Sequence, residues 1–145
     1  MGLALFSLSE SHVIHRNISL KNIYNNKDIY TLGGFSSSRV YNSADMQQQV
    51  LTAQVGVNLN RAPETFTDST NYTEKIDVWA LGCVLHEMLF GKHFMDGVDI
   101  ANFAQQLINR NYQVPTSGVF ISDAAKRLLQ ACLAKNPQDR ISIID

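Results

Sequence analysis

The sequence predicts a mainly α-helical domain that carries a small β-hairpin. Three features carry that expectation. From Ile76 to Phe90 nearly every position is apolar, on all faces of a helix, which places that helix in the interior. Two later segments, 99–110 and 122–132, repeat apolar residues at helical spacing. Two short β-prone runs, Ile23-Tyr24 and Ile29-Tyr30-Thr31-Leu32, flank Asn25-Asn26-Lys27-Asp28, whose residue types favour a turn.

The elements follow in order. Leu3 to Glu10 reads as the end of a helix, and Val13-Ile14 as a brief extended stretch. The hairpin comes next. Residues 33–60, rich in Ser, Gln, Asn and Gly, show no period and read as one long loop; loops of that length within a compact domain tend to be functional. Thr73 is the expected N-cap of the apolar helix, and Gly91 its stop. Along 99–110, Ile100, Phe103, Ala104 and Leu107 form the expected buried face. Ser122-Asp123 caps a last helix striped by Ala125, Leu128, Leu129 and Cys132, with Pro137 beyond its end.

Composition narrows the function classes. Hydrophobic residues make up 45% and charged residues 17% of the 145, a globular balance. A net charge of -1 supplies no field for nucleic acid or a membrane surface. The apolar run 76–90 is too short, and with Asp77, His86 and Glu87 too polar, for a membrane span. The N-terminal Met1–Phe6 lacks a basic region, so no signal peptide is expected and the default setting is the cytoplasm. Cys83 and Cys132 match no metal or redox spacing and are expected as buried thiols. His12, His86 and His93 share no ligand spacing either.

The chemistry-bearing stretch is His15-Arg16-Asn17-Ile18-Ser19-Leu20-Lys21-Asn22. It is followed, in order, by Thr31-Leu32-Gly33-Gly34-Phe35-Ser36, by a run from Val55 through Val57 to Arg61-Ala62-Pro63-Glu64, by Asp77-Val78-Trp79-Ala80-Leu81-Gly82-Cys83, and by Asn136-Pro137-Gln138-Asp139-Arg140. This series resembles the C-terminal lobe of eukaryotic protein kinases: the H-R-D-x-x-x-x-N catalytic loop, the D-F-G triplet, A-P-E, D-V-W-x-L-G-C and a late N-P-x-x-R. The loop and the segment after Asp99 look most like NIMA-related serine/threonine kinases. The resemblance implies the C-lobe of the kinase-like α+β fold over 1–145, with a catalytic loop at 15–22, a degenerate activation segment at 34–64 and a helical core at 73–145. It implies that the N-terminal lobe, with its Gly-rich phosphate cover and ATP-pairing Lys, is absent from this chain.

The departures from the family's pattern bear on activity. Asn17 stands at the position of the Asp that accepts the substrate hydroxyl proton. An amide can orient a hydroxyl but has no basic lone pair at neutral pH. Ser19 stands where the catalytic-loop Lys belongs, and Val57 where a Thr would bond both. Gly34 replaces the metal-binding Asp. Asn22 is retained, but a neutral amide alone is a poor site for magnesium. Ser36 in place of Gly should stiffen the loop.

What the resemblance implies to be intact is scaffold. Asp77 should bind the backbone of the 15–17 loop, Glu64 should pair with Arg140, and His15 and Phe35 should pack. Arg16 could take a phosphate carried on Ser36, Ser37, Ser38, Ser43 or Thr52.

Two function classes follow. One is a catalytically inactive kinase-like fragment that acts by binding a protein partner through 99–110 and the 36–60 loop; no ATP, magnesium or other metal is expected. The other is a serine/threonine kinase fragment that uses ATP and magnesium with an N-lobe on another chain. Exposed apolar surface at the cut ends predicts low solubility or pairing with a second chain.

Overall fold

The computed structural model describes residues 2–41, 59–67, 72–115 and 118–143. Helix α1 (Gly2–Glu10) leads into strand β1 (Val13–Ile14). A 3-10 turn at Leu20–Asn22 precedes strands β2 (Ile23–Asn26) and β3 (Ile29–Leu32). A second 3-10 turn, Phe35–Ser37, precedes strand β4 (Arg39–Val40). The remainder is helical: α2 (Glu64–Thr67), α3 (Lys75–Phe90), α4 (Phe103–Asn109) and α5 (Asp123–Cys132). The chain is mainly helical, as the sequence predicts, and carries two small antiparallel sheets where the sequence predicts a single hairpin.

The hairpin forms with Asn26 opposite Ile29, so the turn is only Lys27-Asp28. Both residues have positive φ, 48° and 70°. That pairing is the signature of a type I′ turn, whose twist matches that of the flanking strands.

Helix α3 is the axis of the molecule. Ile76, Trp79 and Cys83 enter one buried cluster with Met95, Phe103, Leu107, Leu129 and Leu133. Ala80 and Val84 enter a second with Leu5, Ile18 and Leu32. The two cores take adjoining faces of the helix, Ile76, Trp79 and Cys83 on one and Ala80 and Val84 on the next, which accounts for its broad apolar surface. Helix α5 lies against α3, where Gly82 allows the approach. A Cβ there would sit 2.8 Å from Cys132 Cβ and 2.9 Å from the Leu133 side chain. Gly91 closes α3 in the left-handed region, φ 72°, and its amide donates to Glu87 O at 2.8 Å. Both cysteines are buried free thiols.

Four sequence expectations change. The stretch 33–60 is not all loop: β4 pairs antiparallel with β1, Val13 opposite Val40. Residues 42–58, including Ser43, Thr52 and Val57, lie outside the described residues. The N-cap residue of α3 is Glu74 rather than Thr73, although Thr73 Oγ1 still accepts from the Lys75 amide at 3.3 Å. The 99–110 segment splits into a 3-10 turn (Ile100–Asn102) and α4. In that turn Ile100 points outward, 62% exposed, and only Phe103 and Leu107 are buried. On α5 the expected stripe loses Leu128, which is 46% exposed; Leu129 and Cys132 are buried and Ala125 packs partly buried against the core. Among the described residues no helix is long and apolar enough to cross a membrane.

Candidate functional site: the loop at His15–Asn22

The loop hangs from two buried isoleucines. Ile14 sits in the larger core and Ile18, fully buried, in the smaller. Between them His15 is also fully buried. The Asn17 amide donates to His15 Nδ1 at 3.3 Å, so the ring proton is on Nε2, which donates to Gly33 O at 3.0 Å. Burial lowers the His15 pKa against the pull of Gly33, which keeps the ring neutral. Its face meets Phe35 edge-on at 4.6 Å. One imidazole thus ties 15–17 to 33–35. Phe35 itself remains 46% exposed.

Asp77, the third residue of α3, holds the loop from below. Its two oxygens accept from the His15 amide at 2.6 Å and the Arg16 amide at 2.8 Å. These bonds hold Arg16 at φ 68°, an unfavourable conformation for a residue with a Cβ. Burial pushes the Asp77 pKa up to about 6, while the two amides pull it down. Ser38 Oγ adds a bond to His15 O, and Asn60 Nδ2 one to Ile18 O at 2.9 Å. Asn60, buried within the long aperiodic stretch, is a loop-holding residue that sequence reasoning missed; its nearness to Ala62-Pro63-Glu64 was the available signal.

At the centre of the site, Asn22 Nδ2 donates to Asn17 O at 2.7 Å. Gly34 sits opposite, at φ 82° and ψ 37°. A Cβ on Gly34 would lie 2.5 Å from Asn22 Cγ and 2.7 Å from each of its terminal atoms. The Asn22 side chain therefore occupies the space that any side chain at position 34 would enter. Asn17 is half-buried, and Ser19 sets the start of the 3-10 turn with its backbone rather than its hydroxyl. Among the described residues, no cluster of three or more His, Cys, Asp or Glu side chains is arranged to hold a metal ion.

Beyond the loop, Arg140 is fully buried beneath the 59–67 segment. It pairs bidentately with Glu64, at 2.6 and 2.9 Å, and donates to the carbonyls of Lys75, Ala134 and Lys135. Its guanidinium lies 5.0 Å from the centre of the Trp79 ring. Arg61 is engaged locally, with Thr65 and over Phe66 at 4.3 Å. Burial lowers the Arg16 pKa, with Arg39 adding to it and Tyr72 and Asp77 opposing it, and burial together with repulsion from Arg16 lowers that of Arg61.

Over residues 1–145 the chain matches the protein kinase domain family. It is 32% identical over 142 residues to the serine/threonine-protein kinase Nek1 of Mus musculus, covering 97% of this chain and 11% of that protein. To the serine/threonine-protein kinase Nek4 of Mus musculus it is 29% identical over 145 residues, covering 99% of this chain and 17% of that protein. To the cyclin-dependent kinase C-2 C of Arabidopsis thaliana it is 39% identical over 101 residues, covering 67% and 15%. The chain thus spans between 11% and 17% of the length of these relatives.

Proposed function

Since this chain belongs to the protein kinase domain family, we propose that it is a catalytically inactive kinase-like domain that acts by binding other proteins. The observation that carries the reading is the pairing of Asn17 and Gly34 across Asn22. Asn17 offers an amide where proton transfer needs a base. A positioned general base contributes about 10²–10⁴-fold in rate.

The residues present do not fit a magnesium ion. Magnesium is a hard cation that is held through carboxylate oxygens. Gly34 has no ligand atom. Asn22 offers a neutral oxygen on an amide already bonded to Asn17 O. Both oxygens of Asp77 are taken by backbone amides. No phosphoryl-transfer step is derived for this site.

Binding is proposed through 99–110, where Ile100 is exposed, and through 36–60. The Asp77, His15 and Glu64–Arg140 contacts support a role for the loop as fixed scaffold. The second reading, an active serine/threonine kinase, is favoured by the retained Asn22 and by the relatives' names. It needs a base and a metal carboxylate that Asn17 and Gly34 do not supply. Thermal shift with ATP, with and without magnesium chloride, tests the non-binding part. An unchanged melting temperature is expected. A magnesium-dependent rise overturns it.

A further inference from the structure

Away from the catalytic-loop face, the C-terminal end of α3, the turn after it and the end of α4 enclose a cavity of about 620 Å³. Its lining includes Lys92, Arg110, His86, His93, Phe94 and Tyr112. Volumes of this order hold small organic ligands.

Three observations point to an occupant. First, His93 is only 9% exposed, and its Nε2 has no hydrogen-bond partner. The Met95 amide donates to His93 Nδ1 at 3.1 Å, so Nε2 carries the proton and is a buried donor with nothing to give it to. The Tyr112 hydroxyl is likewise buried and unpartnered. Unsatisfied buried polar atoms are rare in native structures and call for a partner.

Second, the cavity is lined by rings. His86 lies 5.7 Å from Tyr112, Phe94 lies 5.5 Å from Tyr112, and His93 lies 4.8 Å from Phe94. Aromatic arrays of this kind, edge-to-face at Tyr112 and tilted between His93 and Phe94, accept a further planar ring.

Third, Lys92 and Arg110 are exposed at the cavity and form no ion pair among the described residues. Asp96 is the one carboxylate among the lining residues, which leaves two cations against one anion.

We propose that this cavity binds a small planar aromatic ligand carrying a phosphate or carboxylate, its anion held by Lys92 and Arg110 and its ring against Phe94 and Tyr112. Nε2 has no accessible surface as the ring stands, so an acceptor on the ligand takes the His93 Nε2–H only after the ring tilts toward the cavity. The catalytic-loop reading and this one are independent, since no residue is shared between the two sites.

Phenyl phosphate, benzoate and inorganic phosphate are the probes, titrated into the ¹⁵N-labelled protein and followed by NMR. The expected result is saturable shifts at the amides of 92–96 and 110–113 and at the His93 ring. Phenyl phosphate and benzoate should bind at least about tenfold more tightly than inorganic phosphate. The surface variant Lys92→Ala/Arg110→Ala keeps the core intact and should weaken phenyl phosphate binding by about tenfold or more. His93→Phe should remove the ring signal and weaken binding while the amide shifts stay in place. Three outcomes overturn the proposal. One is an absence of saturable shifts up to ~10 mM, beyond the weak end of specific binding. Another is equal affinity for inorganic phosphate. The third is unchanged affinity in the double variant.

Discussion

Replacing Glu64 with Gln removes one charge and almost no volume, so it isolates the ion pair under the 59–67 segment. The Arg140 side chain is 0% exposed and that of Glu64 11%. After the substitution the guanidinium keeps three backbone carbonyls as acceptors, at 2.9, 3.0 and 3.3 Å, but has no counter-charge. An uncompensated buried charge costs ~3–5 kcal/mol. The Gln oxygen can still accept one bond, which sets the expectation at the low end, about 3 kcal/mol. Against a total stability of ~5–15 kcal/mol that is a large fraction. At about 4 °C per kcal/mol for a chain of this size, the melting temperature should fall by ~12 °C. Circular dichroism during heating and urea titration both read it. Lys126→Ala, which breaks the exposed Lys126–Asp123 pair, is the control and should leave the melting temperature unchanged. A fall of less than about 4 °C for Glu64→Gln, the range of a surface pair, would refute the reasoning.

Gly34→Ala should cost about 1–2 kcal/mol in left-handed strain, plus the clash with Asn22; Asn22→Gly in the same background should recover only the clash, and urea titration that finds Gly34→Ala neutral would show that Asn22 yields freely. Gly82→Ala should lose ~1–3 kcal/mol by overpacking α3 against Cys132 and Leu133, read by thermal unfolding. Burial lowers the His93 pKa from 6.5 to about 4. The unfolded chain therefore binds the extra proton in that window, and stability rises with pH between about 4 and 6.5. His15 and His86, also lowered by burial, act in the same direction. Asp77, raised to about 6, opposes them, since there the folded chain holds the extra proton and stability falls as pH rises towards 6. The gain in melting temperature from pH 5 to pH 7 should shrink in His93→Gln, and an identical gain would count against the buried neutral ring.

Long-range identities were legible in the sequence where they rest on residue type. The 15–22 frame, the Asp77 helix, the hairpin and the capped end at Gly91 each leave a local signature in residue identity or period. The β1–β4 pairing left none, because a two-residue strand has no period to detect. Ile100 fits a helical stripe by spacing alone, yet it falls in a 3-10 turn, where the angular step between residues differs and the stripe rotates outward. Ile18 lies inside the 15–22 frame and showed nothing of its role as the buried anchor of that loop. The contact of Asn22 with the Gly34 position was equally hidden. A glycine announces that a side chain is missing, and only the packing shows which neighbour fills the space.

Phosphotransfer from ATP in the presence of magnesium tests the central claim most directly. It is best measured on the longest natural polypeptide that carries these residues, with a generic serine/threonine protein substrate. The loop geometry around Asn17, Asn22 and Gly34 predicts no transfer above the substrate-only background. Magnesium-dependent transfer that Asn17→Ala abolishes would contradict it.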